Sequence, residues 1–157
     1  MSTNPSSDSR KRFLLIRTDR VGDTILTFPA VTALRNNYPE AFISFLAQPY
    51  TVPLIEQYAG IDLLLSYEPE GRHRGWKGVL KLSHQLRELN FDAAILFYPR
   101  PELAFALLKA KIPLRIGTGY RWYSFLLNRR IYEHRKDCRN MSLNTIFPCL
   151  NHLCRTK

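Results

Sequence analysis

The stretch FLLIRTDRVGDTILTFPA, residues 13–30, decides the fold of this chain. Four apolar residues come first, a polar turn follows, and the sequence after the turn has helical spacing. A short continuous apolar run of this kind is typical of a strand covered on both faces of a parallel sheet. Because ligands of α/β domains bind at the carboxyl ends of such strands, the polar turn is a candidate functional site.

The rest of the chain repeats this alternation of strands and helices. We predict strands at 13–17, 41–47, 63–67, 92–98 and 114–117, and helices at 23–37, 49–58, 76–89 and 102–110. Pro29 should break or kink the first helix near Phe28. The aromatic-rich stretch 120–128 fits neither pattern. The prediction is an α/β fold, a Rossmann-like three-layer sandwich with a mostly parallel sheet.

Composition suggests one folded domain with atypical ends. The chain has 157 residues, 45% of them hydrophobic, which is enough for a real core. Residues 1–12 are expected to be a disordered lead-in, residues 13–137 the domain and residues 138–157 an atypical tail. No apolar stretch approaches the length of a membrane span, and no signal peptide is evident, so we expect a cytoplasmic protein.

The charge balance points to an acidic partner. A net charge of +10 favours a nucleotide, a phosphorylated lipid headgroup, an anionic membrane surface or nucleic acid. No nucleic-acid reader motif is present, so nucleic acid is not expected. All three cysteines fall after residue 137, and Cys149, His152 and Cys154 match no standard zinc spacing, so we expect no metal. Walker A, GxGxxG and Asp-x-Asp sequences do not occur.

The turn after the first strand carries the candidate chemistry. Asp23 lies where the turn meets the helix and could act as a base, or could simply cap the helix. Arg17 and Arg20 could clamp phosphate or carboxylate groups, or could be an ordinary solvated pair. Asp19 could pair with one of these arginines.

Further candidates for anion binding follow the other predicted strands. Arg72, Arg74 and Lys77 form a basic cluster on a loop and helix start, which could bind an anion or be a solvated charge run. His73 is expected to be a bystander. Candidates for lining a cleft at the strand ends are Tyr98, Arg100, Thr118, Gly119, Tyr120 and Arg121, although Tyr98 could equally be a core residue. The run Trp122-Tyr123-Phe125 suggests packing, an interface or contact with a membrane surface.

Several of these segments together resemble a known family. The opening FLLIRTDRVGDTILTFPAVTALRNNYP is similar to that of the ADP-heptose:lipopolysaccharide heptosyltransferases, glycosyltransferase family 9. Similar segments follow in order: YEPEGRHRGWKG at 67–78, FDAAILFYPRPELAFALLKAKIPLRIGTGYRWYSFLLNRR at 91–130, and YEHRK at 132–136. The resemblance covers roughly residues 13–136 and implies the N-terminal half of a GT-B architecture.

The resemblance implies a function and roles for the candidate residues. Asp23 aligns with the catalytic base of an inverting, metal-independent transfer of heptose from ADP-heptose to the phosphorylated inner core of lipopolysaccharide. The basic residues would face that acidic acceptor, and the nucleotide-sugar donor would bind mainly to a second Rossmann domain that is absent from this sequence. Peripheral contact with the inner membrane would follow, and the fragment alone is expected to be inactive.

The tail departs from the family pattern in a way that suggests a shifted reading frame. In the family, the YEHRK region leads into a His-Glu-x-Glu-x-Asn segment. One alternative frame through the codons of residues 140–146 can spell His-Glu-Leu-Glu-Tyr-Asn. We therefore expect roughly the last eighteen residues to be out-of-frame translation, the other interpretation being a natural short tail.

The sequence leaves two other interpretations of the whole chain open. One is a non-catalytic Rossmann-like module that binds a phosphorylated ligand. The other is a fragment that does not fold stably, since a missing domain would leave apolar surface exposed.

Overall fold

The computed structural model describes residues 10–132. The predicted lead-in lies almost entirely outside these residues, and the predicted tail lies wholly outside them. The strands are β1 Arg12–Ile16, β2 Phe42–Ala47, β3 Leu63–Ser66, β4 Ala93–Leu96, β5 Leu114–Thr118 and β6 Arg129–Ile131. The helices are α1 Val21–Ile25, α2 Phe28–Asn37, α3 Val52–Glu56, α4 Gly75–Glu88 and α5 Pro101–Lys109, with 3₁₀ turns at Pro49–Thr51 and Trp122–Leu126.

The strands form one parallel sheet in the order β3-β2-β1-β4-β5-β6. The chain winds outward from β1 through β2 to β3, and then crosses back to place β4 on the other side of β1. This is the strand order of a Rossmann-like sheet, and its topological switch point lies between β1 and β4. The predicted fold class is therefore confirmed.

Alternating side chains of β1 supply two separate cores. Phe13 and Leu15 face α2 and α3, together with Val31 and Ile55. Leu14 and Ile16 face the other layer, which contains α4, α5 and the second 3₁₀ turn. A strand buried on both faces reads as a continuous apolar run, which is why the opening sequence predicted it.

The predicted break of the helix 23–37 near Phe28 is confirmed, and other predicted elements need correction. α1 ends at Ile25, and α2 begins at Phe28 with Pro29 in its first turn, where the missing backbone N–H leaves no hydrogen bond unmade. The predicted helix 49–58 is a 3₁₀ turn followed by the single turn of α3. The unassigned stretch 120–128 contains the second 3₁₀ turn, and β6, which was not predicted, adds a parallel strand beside β5.

Within residues 10–132, no helix is both long and apolar enough to cross a bilayer.

Candidate active site

In the loop after β1, one guanidinium pairs with two carboxylates. Arg17 donates from Nε to Oδ1 of Asp19 at 2.6 Å and from Nη2 to Oδ2 of the same residue at 2.9 Å. Its Nη2 also lies 3.2 Å from Oδ1 of Asp23. The side chains of Arg17 and Asp19 are only 13% and 11% exposed, whereas that of Asp23 is 38% exposed. Burial raises the pKa of Asp19, and the Arg17 guanidinium opposes that rise.

Asp23 occupies the first turn of α1 without capping it. The N-cap residue is Arg20, and its side chain makes no capping hydrogen bond. The alternative that Asp23 is the helix N-cap is therefore wrong. Its carboxylate is held on one side by Arg17 and is exposed enough for a substrate hydroxyl to reach it. Such a carboxylate can accept a proton from a hydroxyl that comes within hydrogen-bond distance.

The loop that follows β2 forms hydrogen bonds with the loop that follows β1 and holds it in place. Gln48 donates from Nε2 to the carbonyl oxygen of Thr18 at 2.6 Å, and the Tyr50 hydroxyl donates to the carbonyl oxygen of Asp19. Sequence reasoning missed both residues. The available signal was their position just after the strand that neighbours β1, at the same edge of the sheet.

Across the switch point, the loop after β4 presents Tyr98 and Arg100. The guanidinium carbon of Arg100 lies 5.4 Å from the centre of the Tyr98 ring. Both residues are half-buried, so Tyr98 is not the core residue of the alternative interpretation. Nε of Arg100 is buried and has no hydrogen-bond partner among the described residues. Because this Nε is shielded from solvent, an anionic ligand here would meet the remaining part of the half-buried guanidinium.

Two buried phenols, Tyr67 and Tyr123, belong to the core layer of α4 and α5. Burial raises the pKa of Tyr67, with the Glu102 carboxylate adding to the effect and Arg100 opposing it. Burial likewise raises the pKa of Tyr123, and nearby Arg121 opposes the rise. Both phenols therefore stay protonated near neutral pH. Tyr123 is 3% exposed, so within the aromatic run Trp122-Tyr123-Phe125 the packing interpretation holds for this one residue.

The basic loop before α4 is partly neutralised. Arg72 pairs with the carboxylate of Glu68, and its guanidinium holds the pKa of that carboxyl below its usual value. His73 is buried: its Nδ1 accepts the Glu68 backbone N–H at 3.0 Å, and its ring stacks on Tyr67. The expected bystander is thus a structural residue. Arg74 and Lys77 are exposed at the start of α4.

The loop after β5 carries the last group of predicted residues. Ser124 organises it, donating from Oγ to the carbonyl oxygen of Thr118 at 2.9 Å and accepting the backbone N–H of Arg121 at 3.1 Å. A Cβ added at Gly119 would lie 2.4 Å from the ring of Tyr132, so the close approach of that ring requires glycine. Tyr120 meets the same ring edge-on at 5.5 Å, and both Tyr120 and Arg121 are exposed.

All the predicted site residues follow the carboxyl ends of strands in one parallel sheet, so they lie along one edge of the domain. Two groups are close enough for direct interaction: the acid–arginine cluster after β1, and the aromatic–arginine cluster after β4 and β5. The arrangement can activate a hydroxyl at Asp23 and bind anionic groups at the neighbouring arginines.

Several known proteins resemble this chain in sequence. No family model matches the chain. It is 36% identical over 117 residues to lipopolysaccharide heptosyltransferase 3 of Escherichia coli K12, covering 73% of this chain and 30% of that protein. It is 26% identical over 133 residues to the lipopolysaccharide core heptosyltransferase OpsX of Haemophilus influenzae, covering 81% of this chain and 37% of that protein. The chain thus spans about a third of the length of these curated relatives.

Solved structures agree with the sequence relatives. The chain matches E. coli ADP-heptose lps heptosyltransferase II with a TM-score of 0.67 at 26% identity, over 80% of this chain and 36% of that one. A family 9 glycosyl transferase from Veillonella parvula gives a TM-score of 0.79 at 21% identity, over 88% of this chain and 41% of that one, which supports the fold. The resemblance expected from the sequence is confirmed.

Proposed function

We propose, from the kinship of this chain with the family 9 glycosyltransferases, that it is the acceptor-side half of an inverting, metal-independent heptosyltransferase. Its substrates would be ADP-heptose and the phosphorylated inner core of lipopolysaccharide. The observation that carries the proposal is the Asp23 carboxylate, held by Arg17 at the switch point of the sheet and still open to solvent.

The proposed chemistry centres on Asp23. Its carboxylate accepts the proton of an acceptor hydroxyl, and the oxygen attacks the anomeric carbon of the donor sugar. The bond to ADP breaks, ADP leaves with the bonding electrons, and the centre inverts. A base is useful because a neutral hydroxyl is a weak nucleophile. The contact with Arg17 fixes the orientation of the carboxylate.

The acceptor is proposed to bind through its negative charges. Arg100 is half-buried after β4, and exposed cations follow other strands at the same edge of the sheet: Arg20, Arg74, Lys77 and Arg121. Phosphates and sugar carboxylates of an inner core would pair with these groups. Arg72 contributes less, because Glu68 already neutralises it.

The donor would be held mainly by protein beyond these 157 residues. The chain spans about a third of the relatives' length, and the described residues supply the acceptor-side edge of a GT-B architecture. We therefore expect no acceptor-dependent release of ADP from ADP-heptose by this chain alone. Such release, abolished in Asp23→Ala, would contradict this part of the proposal.

The proposed substrates also determine where in the cell the reaction would take place. Because the donor is a nucleotide sugar and the acceptor a lipid-linked sugar, the reaction would take place at the cytoplasmic face of the inner membrane. Peripheral contact between the protein and that membrane is part of the proposal.

Binding of the acceptor sugar can be tested without the donor. The probe is delipidated, phosphorylated inner-core oligosaccharide, added to the isotope-labelled chain and followed by backbone amide NMR shifts. We expect shifts in the loops after β1, β4 and β5, and weaker shifts with the same oligosaccharide after enzymatic removal of its phosphates. Shifts confined to the opposite edge of the sheet would contradict the proposed site. Equal shifts with free inorganic phosphate alone would favour the non-catalytic phosphate-binding module instead.

A further inference from the structure

Both tryptophans of this chain lie on its surface. The sequence contains two, and the exposed fractions of Trp76 and Trp122 are 64% and 79%. Tryptophan is highly buried on average in folded proteins. Phe125 is also 64% exposed. Large aromatic side chains with such high exposed fractions indicate a surface that binds a partner.

These side chains belong to one layer of the fold. Trp76, at the start of α4, packs against Phe105 of α5 with ring centres 4.5 Å apart. α5 contacts α4 on one side and the 3₁₀ turn that carries Trp122 and Phe125 on the other. Leu80, one turn beyond Trp76, is 48% exposed, and Leu108, one turn beyond Phe105, is 39% exposed. We call this layer surface, formed by α4, α5 and the second 3₁₀ turn, the aromatic face.

The aromatic face carries more positive than negative charge. Its two helices contain Lys77, Lys81, Arg87 and Lys109 against Glu88 and Glu102, and the exposed residues Arg74, Lys111 and Arg121 border these elements in the sequence. Lys109 places its Nζ 5.7 Å from the centre of the Phe105 ring. Cations therefore flank the exposed aromatic side chains.

We infer that the aromatic face docks onto a bilayer of anionic phospholipid, with Trp76, Trp122 and Phe125 inserted at the level of the headgroups. Tryptophan is enriched at that depth, and lysines can reach from it to lipid phosphates along their apolar stems. Each cation near an anionic membrane surface adds about 1 kcal/mol of attraction. Exposed leucines among the cations favour a bilayer over nucleic acid, whose bases stack on aromatic rings.

This inference adds to the proposed function the surface and the lipid that make the membrane contact. The membrane contact itself involves only the described residues and lipid. The inference rests on the proposed function only for the biological role of that contact. The aromatic face shares Lys77 with the proposed acceptor site, and Arg74 and Arg121 border it, so its test uses lipid without sugar and substitutes neither these cations nor Asp23. Failure of one proposal is therefore distinguishable from failure of the other.

Because the chain has only these two tryptophans, its own fluorescence reports on the aromatic face. The experiment adds vesicles of phosphatidylcholine with phosphatidylglycerol, or of phosphatidylcholine alone, to the full chain. We expect a blue shift of tryptophan emission and co-flotation with the anionic vesicles only, both weakened by salt. Trp76→Ser and Trp122→Ser should each weaken vesicle binding about tenfold. The double variant Lys81→Gln/Lys109→Gln should weaken it about 30-fold.

Matched controls lie away from the aromatic face. Leu26, 77% exposed after α1, and Lys11, just before β1, are on the other parts of the surface, so Leu26→Ser and Lys11→Gln should bind vesicles like the wild type. The inference is overturned if anionic vesicles do not bind the chain, or if the tryptophan variants bind them undiminished. It is also overturned by an equal blue shift with duplex DNA, or by a shift that grows with protein concentration in the absence of lipid.

Discussion

Arg17 Nη2 lies 3.2 Å from Oδ1 of Asp23 while Nε of the same guanidinium lies 2.6 Å from Oδ1 of Asp19. One buried cation thus holds a buried carboxylate and an accessible one. Asp19 offsets the charge of Arg17, and Asp23 keeps the exposure that chemistry needs. The position of the proposed base therefore depends on a residue that need not touch the substrate.

Replacing Arg17 should lower the free energy of unfolding more than replacing Arg20, which lies in the same loop. Arg17→Gln leaves the mostly buried Asp19 without its counter-charge, so the free energy of unfolding should fall by about 3 kcal/mol. Arg20→Gln, at an exposed position of the same loop, should change it by less than about 0.5 kcal/mol. Urea unfolding of the two variants measures both values. Equal effects would mean that the pairing seen here does not stabilise the loop.

The site's location was predictable, but its internal pairing was not. The apolar run of β1 and the polar turn after it suffice to place Asp23 and Arg17 at a carboxyl edge. Which arginine meets which aspartate depends on tertiary structure, because Asp19 and Asp23 are both within reach of Arg17 and Arg20 in sequence. The structure resolves this through Gln48 and Tyr50, which follow β2 and hold the loop by its carbonyl groups.

β6 shows a different limit of sequence reasoning. Arg129–Ile131 has three residues, two of them arginine, and no alternation to read. Its strand conformation comes from pairing with β5, supported by Asn128, which accepts the Arg115 backbone N–H at 2.6 Å. Strand propensity is largely a matter of such context. The same holds for the 3₁₀ turn at Trp122–Leu126, which Ser124 anchors to the end of β5.

Stability should fall on mild acidification because of His73. Burial, reinforced by Arg72, lowers the pKa of this imidazole in the folded state, and its Nδ1 must stay unprotonated to accept the Glu68 N–H. The unfolded chain then binds the proton more readily, so the free energy of unfolding decreases as the pH falls through the ordinary histidine range, from about pH 7.5 to about pH 5.5.

A pair of histidine variants isolates this effect. In His73→Gln the dependence of unfolding free energy on pH over that range should become flatter, whatever the stability of the variant at neutral pH. His84 is exposed at 77% of its side chain, and His84→Gln should keep the wild-type dependence. Urea unfolding at several pH values gives the three slopes. An unchanged slope in His73→Gln would assign the acid sensitivity to other groups.

Gly78 should tolerate no side chain, although it lies in a helix. A Cβ added there would lie 2.3 Å from the carbonyl carbon of His73, because the basic loop packs directly on the first turn of α4. Gly78→Ala should therefore destabilise the fold by about 1–3 kcal/mol. Gly22, in α1, has nothing within 4 Å of its added Cβ, so Gly22→Ala should be neutral or stabilising by up to about 1 kcal/mol. Thermal unfolding of both variants measures the two changes in stability. Similar changes would mean that the basic loop shifts to make room for the added Cβ at position 78.

Binding and chemistry should separate between Arg100 and Asp23. Removing the guanidinium in Arg100→Gln takes away a charged hydrogen-bond donor, so the affinity for delipidated, phosphorylated inner-core oligosaccharide should fall about tenfold. Asp23→Asn removes a base but no anion-binding cation, so its affinity should stay within about twofold of the wild type. Titration calorimetry of the 157-residue chain gives both affinities. If Asp23→Asn lost as much affinity as Arg100→Gln, Asp23 would be holding the acceptor rather than activating it. If neither variant changed the affinity, the acceptor would bind away from Arg100 and Asp23, among the exposed cations that follow β3 and β5.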